Sequence, residues 1–182
     1  NMEEDDVVVE TKRTLFVDLD GVIADFEQHY ENLFGHRHDA VPAGIMWRNI
    51  HKKEDWWYTM PPMDHFVDFW NSIKHLNPVI LTGCPPANYQ RAVDGKIIWC
   101  EKYLGPDVEV ITCRSKDKPK HMKAAGDILI DDLSKNCDKW REAGGISLQF
   151  APENWKVISN LAIDLMEEDL DEEISEEGDN DE

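Results

Sequence analysis

The chain has 182 residues, 41% of them hydrophobic, which suits one domain with a sizeable core and leaves room for one small insertion. Its formal charge of −19 is concentrated at the ends: twelve of the 38 acids, and no base, lie in Asp164–Glu182, and five more acids lie in residues 3–10. The stretch between holds 21 acids against 19 Lys and Arg, a near-neutral body that lacks the basic surface a polynucleotide would need. The opening Asn1-Met2-Glu3-Glu4-Asp5-Asp6 has no apolar signal core, and Asn1 ahead of Met2 reads as a cloning remnant. No run of about 18 apolar residues could span a membrane. Four cysteines without paired spacing read as reduced thiols, so a cytoplasmic setting is expected.

After an acidic arm over residues 1–11, five short runs rich in Val, Ile and Leu read as buried strands: Thr14–Asp18, Pro78–Thr82, Val108–Thr112, Asp127–Asp131 and Ile146–Phe150. Helical stretches are expected between and after them, near 63–75, 87–104, 133–143 and 153–166, with Gly105-Pro106 and Gly144-Gly145 as stops. Near-continuous apolar strands alternating with helices predict an α/β fold with a parallel five-stranded sheet covered on both faces. The first two strands are too far apart for one crossover helix. Residues 25–77, rich in aromatic rings, therefore read as a small helical cap inserted into a core of residues 12–24 and 78–166. Residues 167–182 read as a solvated, disordered acidic tail, or as a docking segment for a basic partner.

Ligands of such sheets bind beyond the carboxyl ends of the strands, and four strand ends here carry chemistry. The first leads into Asp18-Leu19-Asp20-Gly21-Val22, the second ends at Thr82-Gly83, the third precedes Lys116, Lys118 and Lys120, and the fourth ends in Asp131-Asp132. Carboxylates converging from separate strands raise one another's pKa unless a cation neutralises them, and hard oxygen ligands around an open face suit Mg²⁺. A lysine and the metal would then neutralise a bound phosphate, while a hydroxyl and backbone N–H groups near Thr82 hold its other oxygens. Asp18 is placed to attack as a carboxylate nucleophile, and Asp20 to protonate the leaving alcohol and then activate water. Gly21 allows the turn that keeps Asp20 near the site.

The order of these four segments resembles the haloacid dehalogenase superfamily over residues 13–150. Asp18–Phe26 (D-L-D-G-V-I-A-D-F), Trp99–Asp107 (W-C-E-K-Y-L-G-P-D) and Asp127–Asp132 (D-I-L-I-D-D) resemble the 5′(3′)-deoxyribonucleotidase family. The resemblance implies a Rossmann-like core of strand order 5-4-1-2-3, a helical cap after the first strand, Mg²⁺, and nucleoside monophosphate substrates. It makes Asp18 the nucleophile, Asp20 an acid/base whose carbonyl also reaches the metal, and Thr82 the phosphate-binding hydroxyl. Asp132 becomes the direct metal ligand, with Asp131 acting through water or a hydrogen bond. Lys118 best matches the family lysine, with Lys116 and Lys120 left open. Gly83 departs from the pattern, standing where these nucleotidases usually carry Ser.

In the cap, Trp47, Arg48, Trp56 and Trp57, with Lys52 and Lys53, read either as a base-stacking and phosphate-holding site or as cap core and a solvated helix face. His36, His38, His51 and His65 lack zinc-site spacing and read as surface or capping residues. Cys84 reads as structural. The expected function is a phosphatase acting on a small phosphate monoester, foremost a nucleoside 5′- or 3′-monophosphate. Two alternatives remain: a phosphatase for a sugar phosphate or a polynucleotide end, and an inactive binding protein that recruits a partner through its acidic ends. A homodimer also stays open.

Overall fold

The computed structural model describes residues 13–179, with side chains through residue 168. The acidic arm over residues 1–11 and the last three residues of the acidic tail lie outside the described residues.

Five parallel strands form one sheet: β1 (Leu15–Val17), β2 (Val79–Gly83), β3 (Val110–Cys113), β4 (Ile128–Asp131) and β5 (Ile146–Gln149). Their order is β3-β2-β1-β4-β5, which is the expected order read from the other edge. β1 lies at the centre, with all three residues fully buried, because a parallel sheet covered on both faces must be apolar on both. Its side chains alternate between two cores. Leu15 and Val17 join Ile80, Ile128 and Ile130 on one face, while Phe16 joins Val79, Leu81, Leu129 and Trp140 on the other. The second face is closed by α5 (Ser134–Glu142), whose Trp140 meets Phe16 edge-on at 5.3 Å and donates its indole N–H to the Asp127 carbonyl.

Three helices fill the insertion: α1 (Phe26–Phe34), α2 (Ala43–His51) and α3 (Phe66–Ile73). α1 starts where the Asp25 carboxylate accepts the Gln28 N–H, and it stops at Gly35 in the left-handed conformation. The third helix packs on the core rather than in the cap. Phe69 touches Phe150 and Trp155, and the Ser72 hydroxyl meets that of Ser159 at 2.5 Å. The lid proper is α1, α2 and the turns around Trp56 and Trp57. The rings of Phe26, Tyr30, Phe34 and Trp56 cluster within it and are continuous with the core on that face of the sheet.

α4 (Tyr89–Leu104) runs beneath this lid and ends at Gly105, as the Gly-Pro pair led one to expect. Trp99 donates its indole N–H to the Met60 carbonyl, and Arg91 donates to the His51 carbonyl, so α4 is pinned to the lid at two points. α6 (Trp155–Asp179) extends well beyond the expected 153–166, continuing through most of the acidic tail. Glu, Leu, Met and Ile in that stretch are good to middling helix formers, and no Pro interrupts them. Met166 is the last deeply buried residue among its described side chains. Among the described residues, no helix is long and apolar enough to cross a membrane.

Candidate active site

The carboxyl ends of β1, β2 and β4, with the segment after β3, converge on one cavity of about 720 Å³. Asp18 follows β1 directly, and its backbone N–H donates to the Ile130 carbonyl on β4, which holds it in line with the neighbouring strand. The chain then turns sharply at Gly21, where φ is +80°. A side chain there would collide with Asp132, because a Cβ on Gly21 would lie 2.2 Å from Asp132 Oδ2. Both the backbone conformation and the close approach therefore require glycine.

Asp18, Asp131 and Asp132 each offer a carboxylate oxygen within 4.8 Å of the others. Asp131 is fully buried and its oxygens are taken: Oδ1 accepts the Leu133 N–H, and Oδ2 accepts from Lys118 and Asn136. Asp132 differs, since its Oδ1 is buried without a hydrogen-bond partner. Lys118 lies in a short 3₁₀ helix, Ser115–His121, that follows β3. It is 2% exposed and donates to Asp18 Oδ1 and Asp131 Oδ2, each at 2.8 Å. Of the two other lysines left open by the sequence, Lys120 pairs with Asp117 at the surface, and Lys116 is exposed on the cavity rim.

The charges at the cavity floor are out of balance. Burial, then the charge of Asp131, raises the Asp18 pKa to about 6 despite the opposing pull of Lys118. Burial and the charges of Asp18 and Asp131 push Asp132 up to about 9. Burial disfavours the Lys118 ammonium, but the two adjoining carboxylates outweigh it and raise its pKa. One lysine does not neutralise three crowded acids, and a cation is what would keep them all ionised. The donor set also fits one. Asp18 and Asp132 supply hard oxygens, the unpartnered Asp132 Oδ1 is free to coordinate, and Asp131 is bound as a supporting acid.

Asp20 is anchored by a residue that sequence reasoning missed. Lys96, on α4, is fully buried and donates to Asp20 Oδ2 at 2.8 Å, Thr82 Oγ1 at 2.7 Å and the Gly83 carbonyl at 2.8 Å. Its ammonium also sits 5.0 Å from the Trp57 ring centre, a cation–π contact. Asp20 Oδ1 has no partner. Thr82 is fully buried beside Lys96 and is not on the cavity wall, whereas Gly83 is.

Comparison with known proteins agrees with the motifs. No protein-family model matches the chain. A curated protein of Bordetella pertussis, named "Putative 5'(3')-deoxyribonucleotidase", is 28% identical over 138 residues, 65% of this chain and 73% of that one. Its namesake from Bordetella bronchiseptica is 27% identical over the same shares. Two solved structures align more loosely. A HAD hydrolase, family IA, variant 3 from Entamoeba histolytica is 11% identical, with a TM-score of 0.42 over 76% of this chain and 84% of that one. A hydrolase from Streptococcus pneumoniae TIGR4 is 12% identical, with a TM-score of 0.47 over 83% of this chain and 100% of that one. Neither superposition is close enough to bear on the site.

The insertion contributes Phe26, Trp47, His51 and Trp57 to the cavity wall. The Trp47 and His51 rings are stacked 5.9 Å apart. Two other residues expected at the substrate lie elsewhere. Trp56 is fully buried in the lid's core, where its ring packs on Phe26, His29 and Phe34. Arg48 is exposed and off the cavity wall, because helical spacing puts it on the side of α2 opposite the buried Met46 and Ile50. Arg114, which was not singled out from the sequence, does line the cavity.

Proposed function

We propose that this protein is a Mg²⁺-dependent phosphatase that hydrolyses a small phosphate monoester, foremost a nucleoside monophosphate, through a phosphoryl group carried on Asp18. The observation that carries the reading is the pairing of two aspartates two residues apart with two different buried lysines. Lys118 holds Asp18 among the acids, and Lys96 holds Asp20 away from them. Two carboxylates with separate environments suit two separate tasks.

Asp18 attacks phosphorus and the ester oxygen leaves, giving an aspartyl-phosphate and an alcohol. Asp20, whose Oδ1 has no protein partner, delivers the proton to the leaving oxygen. It then takes a proton from the water that releases phosphate and regenerates Asp18. Lys118 keeps Asp18 oriented and offsets phosphate charge. Mg²⁺, held by Asp18 and Asp132, would supply the positive charge that lets an anionic carboxylate approach an anionic phosphate. Lys96 fixes one oxygen of Asp20 and with it the position of the carboxyl beside Asp18.

The lid supports the nucleotide reading. A cavity of this volume holds more than a phosphate, and rings of Phe26, Trp47 and Trp57 offer faces on which a base can stack. The relatives' printed name agrees with it. The test is a hydrolysis screen across nucleoside 5′- and 3′-monophosphates, sugar phosphates and p-nitrophenyl phosphate, with and without Mg²⁺. Mg²⁺-dependent turnover with a nucleoside monophosphate ahead of the test ester is expected. If none outruns p-nitrophenyl phosphate, the nucleotide assignment falls, and if nothing is hydrolysed, the phosphatase reading falls too.

A further inference from the structure

Gly83 ends β2 on the cavity wall, yet its backbone does not require glycine, since it is absent from the positions with positive φ. What excludes a side chain is a neighbour. A Cβ on Gly83 would lie 2.1 Å from Ser115 Oγ and 3.1 Å from Ser115 Cβ. The hydroxyl of Ser115 therefore occupies the place that a residue 83 side chain would take. The register explains how it gets there: Gly83 pairs with Cys113 across β2 and β3, and the chain folds back over the end of β2 within two residues.

Ser115 lines the same cavity as Asp18, Gly83 and Lys118. Its hydroxyl makes no hydrogen bond with any described residue, so it is free to serve a ligand. Thr82, the other hydroxyl at this strand end, is fully buried, off the wall, and already accepts from Lys96. A neutral donor suits this side of the cavity. It can hold a phosphate oxygen without adding charge beside Lys118, while Arg114 and Lys116 on the same segment supply attraction.

We propose that Ser115 is a phosphate-binding residue of this site, its hydroxyl reaching from the segment after β3 into the space left by Gly83. The proposal rests on the phosphatase reading. Ser115 takes no part in bond making; it donates one hydrogen bond to an oxygen of the phosphoryl group in both half-reactions.

The test compares Ser115→Ala, Ser115→Thr and the double variant Gly83→Ser/Ser115→Gly with the unaltered protein in Mg²⁺. Three readouts are taken: kcat/KM on p-nitrophenyl phosphate and on one nucleoside monophosphate, inhibition by inorganic phosphate, and Tm. Loss of one hydrogen bond to a charged group should lower kcat/KM about ten- to hundredfold for Ser115→Ala. The factor should be equal on both substrates, with inorganic phosphate inhibiting correspondingly less and Tm unchanged. Ser115→Thr should keep most activity. The double variant, which moves the hydroxyl to position 83 without the collision, should recover most of it. Full activity and unchanged phosphate inhibition in Ser115→Ala overturn the proposal, as does a loss confined to the nucleotide. If the unaltered protein hydrolyses no phosphate monoester, the phosphatase reading is overturned and Ser115's role with it. Turnover by the unaltered protein with an indifferent Ser115→Ala overturns the hydroxyl alone.

Discussion

Lys96 is the residue whose removal should reveal most about how the site is held. Lys96→Met keeps the length of the side chain but deletes the ammonium, leaving the Asp20 carboxylate, the Thr82 hydroxyl and the Gly83 carbonyl without their donor. Breaking a buried pair by removing one partner costs roughly 3–5 kcal/mol. Asp20 is 27% exposed and partly solvated, which places the loss near the low end, about 3 kcal/mol. At about 2–4 °C per kcal/mol for a chain of this size, Tm should fall about 6–12 °C. Activity should fall further than stability alone explains. Acid–base help is worth roughly 10²–10⁴-fold, and an Asp20 that no longer points at the leaving oxygen loses much of it. The assay pairs a nucleoside monophosphate, whose alkoxide leaves poorly and needs a proton, with p-nitrophenyl phosphate, whose phenolate leaves readily. Both are measured at a temperature where the variant is fully folded. The nucleotide should lose at least tenfold more than the test ester. Equal losses on both substrates, or an unchanged Tm, would refute the assignment of Lys96 as the positioning residue for Asp20.

Two tryptophans of the lid should behave differently. Trp56→Ala, in the lid's core, should cost about 3–5 kcal/mol of stability and reduce both substrates alike. Trp47→Ala, on the cavity wall, should cost roughly 1–3 kcal/mol in kcat/KM on the nucleotide and little on the test ester. The acid cluster predicts a pH effect in metal-free protein, followed by thermal unfolding. Asp18 and Asp132 have pKa values raised to about 6 and about 9, so the folded state keeps protons that the unfolded state releases near pH 4. That contribution is complete below the unfolded pKa and is lost as pH rises through the folded values. Tm in EDTA should therefore decline from about pH 5 to about pH 9, and Mg²⁺ should raise Tm more at the upper end. A Mg²⁺ effect larger at the acid end would contradict it.

The strand ends were legible because each requirement there is local. Apolar triplets such as Leu15-Phe16-Val17 and Ile128-Leu129-Ile130 are buried on both faces, and acids placed straight after them must sit at the carboxyl edge. Lys118 was harder, since three lysines alternate through a 3₁₀ helix with Pro119 inside, and only the fold turns one of them inward. Lys96 was missed because a lysine inside Asp94-Gly95-Lys96 reads as solvent-facing. A signal was present all the same: Ala92, Lys96, Trp99 and Cys100 share the helical spacing of one buried face, and a charge in that stripe needs a buried partner. Which of Trp56 and Trp57 faces the cavity depends on how α4 approaches the lid, and no local pattern carries that. The third insertion helix reads like the rest of the cap in composition, and only its contacts with α6 assign it to the core.

The proposed mechanism requires Asp18 to carry the phosphoryl group between its two steps. Protein mixed with substrate and Mg²⁺, then quenched in acid, can be digested and its peptides weighed by mass spectrometry. One phosphoryl group is expected on the peptide containing Asp18, lost on standing in base, with both the adduct and turnover absent in a folded Asp18→Asn protein. Turnover by Asp18→Asn, or a phosphoryl group found on another residue, would contradict it.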